Sequence, residues 1–151
     1  MTFGLINLWS AGVIALLLLP NLVYALKFQD ANFRSGSRAL NLLEQAGRYG
    51  SMALFVVPLG VRGGEFGFAS VGGMLAWMGL MAAILAAYYL AWLLYARRRA
   101  PALAMALALL PCALFLVHAL FLRHWALGLF AAVFAAAHIS IVYQNTHPRT
   151  D

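Results

Sequence analysis

Four stretches of about twenty apolar residues, near 3–26, 70–96, 101–122 and 126–145, constrain this chain more than any other feature. A bilayer's hydrocarbon core is about 30 Å thick and takes about 20 helical residues to cross. Within it every backbone N–H and C=O must be satisfied by the protein itself, which a helix achieves alone. The breaks between the stretches suit helix ends. "KFQDANFRSGSR" is polar, "ARRRAP" places Pro101 at a helix start where its missing N–H is harmless, and "RHW" is a polar corner with Trp125 at interface level. The expected fold is all-α, one integral membrane domain over residues 1–151.

Composition points the same way. Hydrophobic residues make up 65% of the chain and charged ones 9%, against about 45–50% and about 25% in soluble domains. No water-soluble fold of this length hides so much apolar surface. The net charge of +6 therefore reads as cationic loops held on one membrane face, and nucleic acid is not an expected partner. The first apolar run follows no basic segment and is longer than a signal peptide's core, so it is expected to be a retained helix.

A fifth stretch, about 41–61, carries Glu44, Gln45 and Arg48. If it spans, Lys27, Arg34, Arg38, Arg97, Arg98, Arg99 and Arg149 share one side, seven in all, with Arg62 and Arg123 opposite and Arg48 embedded. If it does not, the split is six against four. The bias of Lys and Arg toward the cytoplasmic side favours the first arrangement. The expectation is a bundle of five transmembrane helices, N-terminus outside and C-terminus cytoplasmic. Small residues at four-residue spacing, Gly79/Ala83/Ala87/Ala91 and Gly128/Ala132/Ala136/Ser140, form stripes that let a neighbouring backbone approach. Ala131 and Ala135 add a second small face, which predicts a central position for the last helix and offers faces for a second copy or another chain.

Glu44 and Arg48 stand four apart with the acid first, the favoured order for a helical ion pair, and Asn41 precedes them by a turn. A lone Arg at mid-bilayer costs about 2.5–3.5 kcal/mol on insertion scales, less near the edge and less when paired, so the pair should turn into the bundle. The first helix ends at the same depth with Asn21 and Tyr24 behind Pro20, an expected kink. The third contributes Tyr88, Tyr89 and Tyr95, and the last His138, Tyr143, Gln144 and Asn145. The candidate polar cluster is thus Asn21, Tyr24, Asn41, Glu44, Arg48, His138 and Asn145. An ionisable group inside the membrane is by default a functional hypothesis, although hydrogen-bonded clusters also fix helix register.

No cofactor or metal is expected. His118 and His138 lie about 18 Å apart along the membrane normal, too far to share one haem iron. His118 and His124, six apart, would leave a continuous helix on opposite sides. Cys112 is the single cysteine, which excludes an intrachain disulfide and a zinc spacing. On the opposite face, Arg62, Glu65, Arg123, His124 and Trp125 read as an outer interface. "GVRGGEFGF" follows no strand, so its glycines do not read as a phosphate loop.

The segments "NLLEQAGRYGSMALF", "FGFASVGGML", "LRHW" and "AAHISIVYQNTHP" resemble an uncharacterised family of small bacterial multi-pass membrane proteins. Its members share an EQ-x-GRYG segment, an RHW corner and a histidine in the last helix. The resemblance covers nearly the whole chain and implies a bacterial inner membrane location but no chemistry. Ser51 stands where that segment carries Cys, which implies that a thiol there is not essential. Three classes of function follow: a small transporter or accessory component binding a polar solute or proton, a membrane enzyme acting on a lipid or isoprenoid, and a structural subunit. A transporter predicts an aqueous path between both polar ends. An enzyme predicts a lateral opening beside Glu44.

Overall fold

The computed structural model describes residues 2–3, 6–27, 35–59, 68 and 70–147. Among these, five helices follow a short antiparallel pair, β1 (Thr2–Phe3) and β2 (Ile6–Asn7): α1 (Leu8–Lys27), α2 (Arg38–Val56), α3 (Val71–Arg98), α4 (Pro101–Phe121) and α5 (Trp125–Thr146). The all-α bundle is as expected, with shifted boundaries. Phe3, Ile6 and Asn7 fall in the strand pair rather than in α1, and α2 begins and ends earlier than 41–61.

Local chemistry sets those boundaries. The Asn7 side-chain oxygen accepts from the backbone N–H groups of Trp9 and Ser10 (3.1 and 3.3 Å), which starts α1 at Leu8. Ser37 accepts from Leu40 N–H and Ser70 from Gly73 N–H, starting α2 and α3 in the same way. Pro101 opens α4, and His124 Nδ1 accepts from Leu127 N–H (3.0 Å) to start α5. Arg99 and Arg123 take left-handed backbone angles, φ 46° and 51°, and turn the chain into α4 and α5.

The helices close a ring in the order α1, α2, α5, α4, α3 and back to α1. Among the described residues α1, α3, α4 and α5 are long and apolar enough to cross a membrane, which fits a membrane protein. α2 falls short by composition, yet it runs antiparallel beside α5 from its start to Gly50, and Phe55 in its last turn packs on α4. Ser35, just before α2, donates to Gln144 (3.1 Å); Glu44 meets His138; Gly47 abuts Phe134 and Gly50 abuts Phe130. α2 is also polar on its inner face and apolar outside. Its buried residues are Glu44, Gly47, Ser51 and Phe55, whereas Leu42, Leu43 and Tyr49 are exposed. Arg38 at the helix start and Gln45 within two turns of it are the exposed polar exceptions.

Two packing expectations are corrected. Gly79, Ala83 and Ala87 are exposed, with only Ala91 of that stripe buried, and Ala132, Ala136 and Ser140 also face outward. The close helix approach instead uses Gly47, where a Cβ would lie 2.7 Å from the Phe134 backbone nitrogen. The most enclosed helix is α4 rather than α5: 44% of its apolar window is buried against 33%. The second small face does pack, with Ala131 buried and Ala135 against the core. At the other extreme is α1, at 17%, held loosely between α2 and α3.

Candidate functional site

Pro20 interrupts α1 and cannot donate to the Leu16 carbonyl one turn earlier. Tyr89 from α3 donates its hydroxyl to that carbonyl instead (2.8 Å). The following residue, Asn21, turns its side-chain oxygen to the Tyr88 hydroxyl, which donates to it at 2.9 Å. The proline thus leaves a polar notch in α1 that two consecutive tyrosines of α3 fill.

Across the ring, Glu44 on α2 pairs with Arg48 one turn later. The same carboxylate oxygen, Oε1, lies 3.1 Å from Nδ1 of His138 on α5. With a neutral imidazole, Nδ1–H donates to the carboxylate and Nε2 is left as an acceptor. The His138 ring stacks on Phe134 at 4.8 Å, and the Arg48 guanidinium lies 5.9 Å from the same phenyl ring, a cation–π distance. Close approach at Gly47 brings this triad together, because it lets α5 lie directly on α2.

These groups border a cavity of about 640 Å³ that all five helices line. Its wall comes from the second half of α1, the middle of α2, the end of α3, the first two-thirds of α4 and the middle and later turns of α5, so it reaches from the side of Arg97–Arg99 to about the middle of the bundle. The exposed residues in the lining belong to α1 and α2: Leu18, Asn21, Ala25 and Tyr49. Those from α4 are buried, as are Phe134, Ile141 and Val142 of α5. The open side of the cavity therefore runs along the α1–α2 edge, beside Arg48, whose side chain is 37% exposed.

Among the described residues, the opposite half is packed around His118. Trp77 donates its indole N–H to His118 Nδ1 (3.1 Å), and Phe55 stacks on the His118 ring at 3.7 Å. An indole N–H only donates, so His118 carries its proton on Nε2 and is neutral. Eleven residues of α2 separate Glu44, at His138, from Phe55, at His118, or about 16 Å along the helix, close to the spacing that separated the two histidines on the sequence.

Of the seven expected cluster residues, Glu44, Arg48 and His138 touch, and Asn21 and Tyr24 line the same cavity. Asn41 does not join them. Its amide oxygen accepts from Ser35 N–H (2.9 Å) and its amide nitrogen donates to Ser35 O (2.7 Å), which fastens the approach to α2. Asn145 donates back to the Ile141 carbonyl of its own helix (2.8 Å) and lies outside the cavity. Tyr88 and Trp92 complete the lining; Trp92 could have been found by its position one turn beyond Tyr88.

In the second cluster, Arg62 and Glu65 lie outside the described residues. Trp125 is 88% exposed and Arg123 is exposed. His124 is instead buried as the cap of α5, and burial holds its imidazole below the ordinary value. The assumption of continuous helix between His118 and His124 also fails, because α4 ends at Phe121. Among the described residues no three His, Cys, Asp or Glu side chains group as a metal site. Comparisons with models of protein families, with curated proteins and with solved structures find no match to this chain.

Proposed function

We propose that this protein takes the polar head of a membrane amphiphile through the α1–α2 edge onto Glu44, Arg48 and His138, where the carboxylate–imidazole pair can move a proton on it. The observation that carries this reading is the cavity itself, which is open sideways beside Arg48 and charged on one wall. Among the described residues its far end meets the packed Phe55, Phe115 and His118 rings, which favours a lateral over a through-going route. A lateral opening beside Glu44 is what an enzyme acting on a lipid-borne substrate requires. Arg48 retains guanidinium N–H groups for an acceptor-rich head. Glu44 and His138 share a hydrogen bond and both line the cavity, which puts them on the wall that a bound head would meet, as acid–base work on it needs.

The same reading takes α2 as a fifth span, because it lies beside α5 from Ser35 to Gly50 and faces apolar side chains outward. The split of seven cationic side chains against two supports an N-terminus outside and a C-terminus in the cytoplasm. A bacterial inner membrane location is part of the same proposal and rests only on the resemblance drawn from the EQ-x-GRYG segment and the RHW corner.

The test uses a diazirine-bearing fatty acid and the matching fatty alcohol as photoreactive probes on protein in vesicles. Adducts on Met52 or Phe134, lost in a Glu44→Gln/Arg48→Met variant that still folds, are the expected result. Adducts confined to outward residues such as Leu22 and Leu120, or unchanged in that variant, would overturn the proposal and leave the cluster a structural one.

A further inference from the structure

A second hollow lies behind the first. Between α1 and α3 an apolar groove of about 520 Å³ runs along Pro20, Val23 and Tyr24 on one side and Tyr89, Leu90 and Leu93 on the other, ending at Ala96. It is separated from the Glu44 cavity by Tyr24 and Trp92, which line both and whose rings lie 4.7 Å apart. From Tyr89 to Ala96 it extends about 10 Å along α3, most of the depth of one leaflet's hydrocarbon, about 15 Å.

The groove ends at charge. Leu93 and Ala96 lie on its α3 side, and Arg97 follows Leu93 by four residues on the same face. Arg99 ends α3 in a left-handed turn, and its guanidinium lies 5.8 Å from the Tyr24 ring centroid. Cations thus stand where a lipid headgroup sits, and an apolar slot lies below them where its chain descends.

We infer that the α1–α3 groove holds one anionic phospholipid, its acyl chain between Pro20 and Leu93 and its phosphate at Arg97 and Arg99, and that this lipid braces the loosely packed α1. The site is separate from the Glu44 cavity and stands or falls without it.

The experiment follows retention of added phosphatidylglycerol, phosphatidylcholine and free glycerol phosphate by the full-length protein in detergent, by native mass spectrometry. Phosphatidylglycerol is expected to bind several-fold more tightly than phosphatidylcholine, with no retention of glycerol phosphate. Arg97→Gln and Arg99→Gln should each weaken phosphatidylglycerol about fivefold, the effect of about one surface cation, and leave phosphatidylcholine unchanged. Leu93→Trp, a lipid-facing change that fills the groove, should reduce both lipids. Equal retention of the two lipids, displacement of phosphatidylglycerol by glycerol phosphate, or indifference to Arg99→Gln or to Leu93→Trp would overturn the assignment.

Discussion

Gly47 lies against Phe134 so closely that a Cβ on the glycine would sit 2.7 Å from the Phe134 backbone nitrogen and 2.8 Å from its Cα. Backbone cannot step aside as a side chain can. Gly47→Ala should therefore separate α2 from α5 and cost about 1–3 kcal/mol, the range for overpacking a tight contact. At Gly50 the obstacle is the Phe130 ring, which is 38% exposed and free to swing outward. Thermal melting in detergent should rank Gly47→Ala well below Gly50→Ala; equal losses would mean the approach is not backbone-limited.

The notch at Pro20 makes a second prediction. Tyr89→Phe removes the hydroxyl that the Leu16 carbonyl accepts and should cost about 0.6 kcal/mol, typical of a hydrogen bond between transmembrane helices. Pro20→Ala restores a helical N–H to that carbonyl. In the double variant the Tyr89→Phe loss should shrink, and a double-mutant cycle in thermal stability measures it. Strict additivity would remove the link between Pro20 and Tyr89.

Removing one partner of the Glu44–Arg48 pair strands the other inside the bundle. Arg48→Met alone should lower stability by about 1–2 kcal/mol, less than for a fully buried pair because Arg48 is partly exposed. Adding Glu44→Gln should recover part of that loss. The comparison is a chemical or thermal unfolding series of the two single variants and the double.

Polar residues show how far the chain's order reveals its site. The inward turn of Glu44 and Arg48, and their meeting with His138, are legible because ionic groups at four-residue spacing in an apolar segment have only one comfortable direction. Asn41 and Asn145 carry the same polarity but bond to backbone nearby, as Asn near helix termini does; type and depth alone do not separate the two cases. The alanine stripes mislead for a related reason. In lipid a small face is as stable exposed as packed, so spacing does not say which stripe meets a neighbour. Gly47 sits beside Arg48, in a turn where charge draws the reader's attention first.

Acid should weaken the fold at the α4–α5 corner. Burial depresses the His124 imidazole below its ordinary value of 6.5. The unfolded chain then binds this proton first as pH falls, so the stability that His124 contributes is present above about pH 6.5 and declines below it. Melting temperature should drop between pH 7.5 and 5.5, and His124→Asn, which keeps a capping oxygen, should flatten part of that slope. An unchanged slope would place the titration elsewhere.

Whether α2 crosses the membrane beside α5 is tested directly at its two ends. In a Cys112→Ala background, cysteines placed at Ser37 and at Leu59 are labelled with a membrane-impermeant maleimide in intact cells and in inverted vesicles. The account expects Ser37→Cys to react only in inverted vesicles and Leu59→Cys only from outside. Reaction of both from the same side would contradict it.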